Sequence, residues 1–325
     1  MNFVNREGLA FDDVLLVPKG GNLIKREQAD ISTQLVGAKR LDVPIISAPM
    51  ESVTGARMAT AMMNAGGYSF LHRNCSIEEQ SKEFQSTWSN VGVALGVNEG
   101  YDRWLELFRV GARIFCIDVA HAHHRMVSRF INNAPENLRN GDSYLIAGNI
   151  ATVDGAHFLA GLGVDGIKVG IGPGAACTTR EVTGFGVPQL TAIIDVAYAL
   201  SQYGEHAPTV IADGGIKNSG DIVKALAAGA DSVMLGRLLA GANESPHPGL
   251  YYGMASKRVN NHRAPEGVEG AVDRTGPVED TIKSLAWGIR SGISYGGGTN
   301  ITELRKNAEF IKVSPGSQLE SGVRI

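Results

Sequence analysis

Only three cysteines, Cys75, Cys116 and Cys177, occur in 325 residues, and no two of them form a Cys-x-x-Cys pair. So few, odd in number and widely spaced, they support neither a disulfide framework nor a thiolate metal site, and they fit a reducing, cytoplasmic setting. An excess of charge of one sign is also lacking: 30 Lys and Arg face 33 Asp and Glu, a formal net charge of -3. Without a basic stripe, a nucleic-acid polymer is not an expected partner. No apolar run reaches membrane-spanning length, and the N-terminus lacks a charged-then-apolar leader pattern, so no membrane association is expected. What remains is an ordinary globular composition, 43% apolar and 19% charged, long enough for one large α/β barrel or two smaller domains.

Glycine is plentiful, at 41 residues, and it concentrates where chemistry would need it. Residues Gly170 to Arg180 read Gly-Ile-Gly-Pro-Gly-Ala-Ala-Cys-Thr-Thr-Arg. Glycines permit positive φ and let a ligand come close to the main chain. Successive unpaired N–H groups in such turns form anion-binding concavities. A thiol beside such a turn and near an arginine gains thiolate character and can act as a nucleophile. The string therefore pairs an anion cradle with a covalent catalyst. The competing reading, a tight turn with an inert buried cysteine, suits a lone Gly-x-Gly better than this crowded segment.

Short apolar runs alternate with amphipathic stretches along the chain. Expected strands are Pro44–Ser47, Tyr68–Leu71, Val91–Leu95, Ile114–Ile117, Tyr144–Ala147, Gly166–Val169, Thr209–Ala212 and Ser232–Leu235, with helices such as Gly55–Ala65, Tyr101–Val110 and Gly220–Ala228 between them. Eight strand-helix units predict a (β/α)8 barrel over residues 1–313, a single catalytic domain. Small or reactive residues recur just past the strands: Met50, His72 and Arg73, Asp118, Asn149, the 170–180 loop, Asp213 to Gly215, and Gly236. Barrel active sites are built at that end. The aperiodic segment Tyr251–Gly276 reads as a long functional loop, and residues 314–325 as a flexible tail.

Several strings together resemble the inosine monophosphate dehydrogenase and guanosine monophosphate reductase family. They are Leu9-Ala-Phe-Asp-Asp-Val-Leu-Leu-Val-Pro18, Ser47-Ala-Pro-Met-Glu-Ser-Val-Thr54, Ala147-Gly-Asn149, Lys168-Val-Gly-Ile-Gly-Pro-Gly174 with Cys177-Thr-Thr-Arg180, Ala212-Asp-Gly-Gly215 and Met234-Leu-Gly236. The resemblance spans Gly8 to about Val313. It implies a barrel, usually tetrameric, that binds a purine nucleoside monophosphate and a nicotinamide cofactor, NADPH or else NADH or NAD. It further implies potassium, a monovalent cation held by carbonyls of the cysteine loop, at Gly170, Gly172 and Cys177. The regulatory insert of most dehydrogenases is absent from this sequence.

By the same resemblance Cys177 is the nucleophile toward C2 of the purine, and Thr179 and Glu266 move protons. Read without it, Glu266 is a solvated loop carboxylate. Asp213 would grip the nucleotide ribose. Gly214, Gly215 and Gly236 would offer N–H groups to the phosphate, with Tyr251 adding a phenol. Ser47, Met50, Asn149 and Met254 would complete the nucleotide site, although Met50 reads equally as a core residue. Asp118, Arg73 and Arg263 would face the cofactor.

Two positions depart from the family pattern. Ala175 stands where a serine hydroxyl commonly binds phosphate, and Arg237 stands where serine or glycine is common. Arg237 is therefore expected to replace the lost hydroxyl with a charge-assisted bond, unless it faces solvent or a neighbouring subunit. The dehydrogenase activates water with an Arg-Tyr pair on a flap, and the stretch Gly253–Arg263 contains none. The strings Arg263-Ala-x-Glu-Gly267 and Gly288-Ile-Arg-Ser291 resemble the reductase, whereas Ser47–Met50 and Gly267-Val-Glu-Gly270 resemble the dehydrogenase. The expected activity is GMP reduction. The alternatives are IMP dehydrogenation and nucleotide binding without turnover.

Overall fold

The computed structural model describes residues 6–21, 23–138, 143–259 and 265–321. Eight parallel strands close into a barrel: β1 (Ile45–Ser47), β2 (Tyr68–Leu71), β3 (Gly92–Leu95), β4 (Ile114–Asp118), β5 (Tyr144–Ile150), β6 (Gly166–Val169), β7 (Thr209–Asp213) and β8 (Ser232–Leu235). Each strand pairs with the next in sequence, and β8 returns to β1 with Val233 opposite Ile45. All eight expected strands are present, because short apolar β-rich runs separated by helical stretches bury both faces in a parallel sheet covered by helices, here closed into a barrel.

The alternation of side chains along each strand separates two cores. Ile46, Phe70, Cys116, Ile146, Ile211 and Met234 point into the barrel, where they pack with Leu35, Val36 and Leu41. Those last three come from the antiparallel pair Thr33–Val36 and Lys39–Leu41, which plugs the barrel from below. The alternate residues Ile45, Leu71, Val93, Phe115, Ala147, Ile167 and Val233 belong to the outer core, against the helices. One step further along β4 to β7, the inward positions are Asp118, Gly148, Lys168 and Asp213. The top layer of the barrel is thus polar where the layer beneath it is apolar.

The helices start where polar caps dictate. Ser76 and Glu79 form a reciprocal capping box at Ile77–Ser86, and Asn218 caps Ser219–Ala227 through the Asp221 N–H. After β6 the cysteine loop runs into a one-turn helix, Thr179–Thr183, ended by Gly184 at φ 77, before the longer helix Gln189–Ser201 begins.

The loop after β8 carries two short strands of its own. Leu250–Tyr252 pairs antiparallel with Glu269–Ala271. Three-residue strands are too short to show a period in the sequence. At the C-terminus, Ser314 caps the helix Pro315–Glu320, and Gln318 bonds Asp13. Among the described residues no helix is long and apolar enough to cross a membrane.

Candidate active site

A cavity of about 890 Å3 opens at the C-terminal end of the strands. Met50, Arg73, Asp118, Asn149, the loop from Gly170 to Cys177, Thr179, Asp213, Gly214, Gly215, Gly236, Arg237, Tyr251, Met254 and Glu266 all border it. Residues from nine separate stretches of sequence thus meet around one space large enough for a nucleotide and part of a second ligand.

The nucleophile candidate stands in a short relay. The Cys177 thiol donates to Thr179 Oγ1 at 3.2 Å, and that hydroxyl donates to Glu266 Oε2 at 2.6 Å. Backbone bonds fix the relay: Thr178 N–H to the Glu266 carbonyl and Val268 N–H to the Ala176 carbonyl, each at 3.0 Å. Cys177 and Gly267 thereby form an antiparallel bridge that clamps the 265–268 strap to the cysteine loop. Arg180, expected to act on the thiol, instead donates to the Val187 carbonyl at 2.9 Å and lies along Gly172. Thr179, not the arginine, is the thiol's immediate polar partner.

Below this relay lies an ion network that sequence reasoning did not single out. Lys168 is 1% exposed. Its Nζ donates to Asp118 Oδ1 at 2.5 Å, Asn149 Oδ1 at 2.8 Å and Asp213 Oδ2 at 3.0 Å, which uses all three ammonium hydrogens. Asn149 Nδ2 then donates to the same Asp213 oxygen at 3.0 Å and to the Gly170 carbonyl at 2.7 Å. Burial would push the ammonium toward neutrality, but the charges of Asp118 and Asp213 outweigh it and hold the lysine well above its ordinary value. Gly148 makes room for the lysine stem, since a Cβ there would sit 2.4 Å from Lys168 Cβ. The signal in the sequence was a charge at an inward strand position, which must find partners.

At one end of the cavity stand Gly214 and Gly215, both at positive φ (95 and 81), conformations that L side chains rarely adopt. Tyr251 borders the same cavity beside Gly236, 8% exposed, its phenol pushed up by burial with Asp213 and Cys177 adding to the effect. Arg237 reaches the same cavity and makes no hydrogen bond or ion pair among the described residues. Across the cavity, Arg73 is held by Glu99 at 2.8 Å, and Glu99 is also gripped by the buried Arg103 at 2.6 Å.

One expected position falls elsewhere, and another lies outside the described residues. Ser47 alternates with the inward Ile46 and Ala48, so its hydroxyl faces outward, bonded to Ser69 at 2.7 Å and Thr54 at 2.8 Å. It is fully buried and does not border the cavity. Arg263 lies outside the described residues.

The IMP dehydrogenase / GMP reductase domain model matches residues 8–324, nearly the entire chain. The chain belongs to the IMP dehydrogenase / GMP reductase family. It is 35% identical to the inosine-5'-monophosphate dehydrogenase of Borreliella burgdorferi, over 98% of this chain and 97% of that protein. It is 30% identical to the enzyme of the same name from Aquifex aeolicus, over 98% and 95%. That second alignment runs to 473 positions, so the relative carries a long stretch that these 325 residues lack. Members of this family are NAD(P)-dependent purine nucleotide oxidoreductases, and this chain is an enzyme of that class. Its cavity is lined by the Cys177 thiol together with Gly214, Gly215 and Gly236 and with Asp118 and Arg73.

Proposed function

We propose that the protein is a GMP reductase, which converts GMP to IMP and ammonia through a covalent bond from Cys177 to C2 of the base. The relay from Cys177 through Thr179 to Glu266 is the observation that carries this reading. It can deliver a proton to a departing amine, which reductive deamination requires. Hydrolysis requires a base for water, and the Gly253–Arg263 stretch has no Arg-Tyr pair to serve as one.

In this mechanism the Cys177 sulfur adds to C2 and its proton passes to Thr179 and Glu266. Glu266 returns a proton through Thr179 to the 2-amino group, which leaves as ammonia while the thioimidate remains. Asp213 accepts the ribose hydroxyls with the oxygen not bonded to Lys168 and Asn149. Gly214, Gly215 and Gly236 line the phosphate, and Tyr251 donates its phenol. Met50 and Met254 pack against the base, and Asn149 stays fixed to the Asp213 network.

The cofactor side fits a dinucleotide. The second oxygen of Asp118 has no partner among the described residues, and Arg73 is braced at the same wall. Asp118 and Arg73 would hold the cofactor, with Arg263 from the adjoining stretch. When bound, the reduced nicotinamide, here NADPH, supplies the hydride that converts the thioimidate to IMP. The carbonyls of Gly172 and Cys177 accept no hydrogen bond among the described residues, and Gly170 accepts one. Neutral backbone oxygens of this kind suit potassium. They would stiffen the loop that carries the nucleophile. The family's tetrameric, cytoplasmic habit is the expected state.

A second reading, IMP dehydrogenation with NAD, is favoured by the names of the relatives. Parallel assays of NADPH oxidation with GMP and NAD reduction with IMP separate the two. GMP-dependent oxidation alone is the expected result. IMP-dependent reduction without it would reverse the assignment.

Arg237 offers a second test. A guanidinium with no hydrogen-bond or ion-pair partner among the described residues, beside glycines of the cavity and with Ala175 lacking a hydroxyl, is placed to make charge-assisted bonds to phosphate. Arg237→Ala should raise the nucleotide KM by about 10- to 100-fold, as a bond worth roughly 1.5–3 kcal/mol would. The kcat should change little. An unchanged KM would show that the side chain serves solvent or a neighbouring subunit.

A further inference from the structure

Lys168 does more than neutralise a buried carboxylate, because it joins two that belong to different ligands. Its ammonium holds Oδ1 of Asp118 and Oδ2 of Asp213 at once. Each carboxylate is thereby turned so that its other oxygen has no partner among the described residues. Both residues border the same cavity. With Asp213 on the nucleotide ribose and Asp118 on the cofactor ribose, as proposed above, one buried charge is shared between the two binding sites.

We propose that Lys168 is a positioning residue through which the nucleotide and cofactor subsites sense each other's charge. The physical basis is the division of one positive charge, itself buried from water, between two acceptors at the cavity wall. A carboxylate that shares the lysine keeps much of its acceptor strength for a ribose hydroxyl. A carboxylate left as the sole anionic partner meets the full charge at close range and gives up part of that strength. Neutralising Asp118 should therefore weaken the grip of Asp213 on the nucleotide, although Asp118 does not touch the nucleotide. The converse holds for Asp213 and the cofactor. Asn149 makes the linkage stiff: it bonds both Lys168 and Asp213, so the lysine cannot swing to one side without disturbing the other.

The test measures binding of each ligand alone by titration calorimetry. Asp213→Asn should weaken GMP binding about tenfold or more, which checks the ribose reading itself. Asp118→Asn, with no cofactor present, should weaken GMP about fivefold or more, the lower end of ordinary coupling between sites. In the Lys168→Met background the same Asp118→Asn change should leave GMP binding unaltered. A merely structural lysine would not make the effect of one carboxylate depend on its presence.

A GMP affinity indifferent to Asp118→Asn, with Asp213→Asn still harmful, would overturn the proposal and leave the ribose reading intact. Indifference to Asp213→Asn would remove that reading and this proposal with it. An equal Asp118→Asn effect in the Lys168→Met background would also overturn it, since the influence would then bypass the lysine. Should Lys168→Met fail to fold, the reciprocal measurement decides. Asp213→Asn must then weaken NADPH bound alone, and unchanged NADPH affinity defeats the proposal.

Discussion

Replacement of Cys177 by alanine should lower kcat by about 10^4-fold or more, the scale seen when a covalent nucleophile is removed. Nucleotide affinity should stay within a few-fold of native, because the phosphate and ribose contacts proposed above involve Gly214, Gly215, Tyr251 and Asp213 and not the thiol. Neither remaining cysteine can substitute. Cys116 is fully buried in the barrel interior, and burial pushes its thiol up to about 12. Cys75 lies past β2 against the His72 carbonyl at 3.8 Å, and burial pushes it up to about 11. Stopped-flow measurement of NADPH consumption with GMP gives the rate. Mass spectrometry of the quenched native enzyme should show one nucleotide adduct on the peptide that contains Cys177. An alanine variant that turns over near the native rate would end the covalent mechanism.

The barrel was legible because its determinants are local. Eight short apolar runs with small or polar residues at their ends announce strands and the face on which loops gather. The cysteine loop was legible for the same reason, since its glycines, thiol and hydroxyls are contiguous. Thr179 and Glu266 were matched through resemblance alone. Their hydrogen bond joins residues 87 apart, and the strap that carries Glu266 has no periodicity of its own.

Lys168 shows the opposite limit. It stood in the sequence as one member of a glycine-rich string, yet its meaning comes from Asp118, Asn149 and Asp213, at the ends of three other segments. Only barrel closure brings them to one ammonium. Strand alternation could have flagged it, because Ile167 and Val169 face the helices and leave Lys168 facing inward. The same rule places Ser47 outside the cavity: with Ile46 and Ala48 inward, Ser47 cannot be. Resemblance drew attention to a serine in a matching string, and the period of two along the strand relocates it. Arg180 is a third case. Proximity in sequence suggested a cation on the thiol, but the one-turn helix that begins at Thr179 carries the guanidinium to Val187.

The second large effect is expected at Glu266. Its carboxylate accepts from Thr179 at 2.6 Å, and Thr179 accepts from the thiol, so a proton can pass along two hydrogen bonds between sulfur and carboxylate. Glutamine keeps an oxygen for Thr179 to bond and nearly the same shape, but it cannot take up and return a proton. Glu266→Gln should therefore preserve fold and nucleotide KM while lowering kcat by about 10^2- to 10^4-fold, the range for loss of general acid-base assistance. Thr179→Val should cost as much, since it cuts the relay in the middle, and Thr179→Ser should restore most of the rate by returning the hydroxyl. Glu266→Gln combined with Thr179→Val should be little worse than either alone, because residues that act as one unit are not additive. The kcat of all four variants at saturating GMP and NADPH provides the check. A Glu266→Gln enzyme within threefold of native would mean that the departing amine obtains its proton elsewhere. A double variant whose loss is the product of the single losses would mean that Thr179 and Glu266 act separately, despite their hydrogen bond.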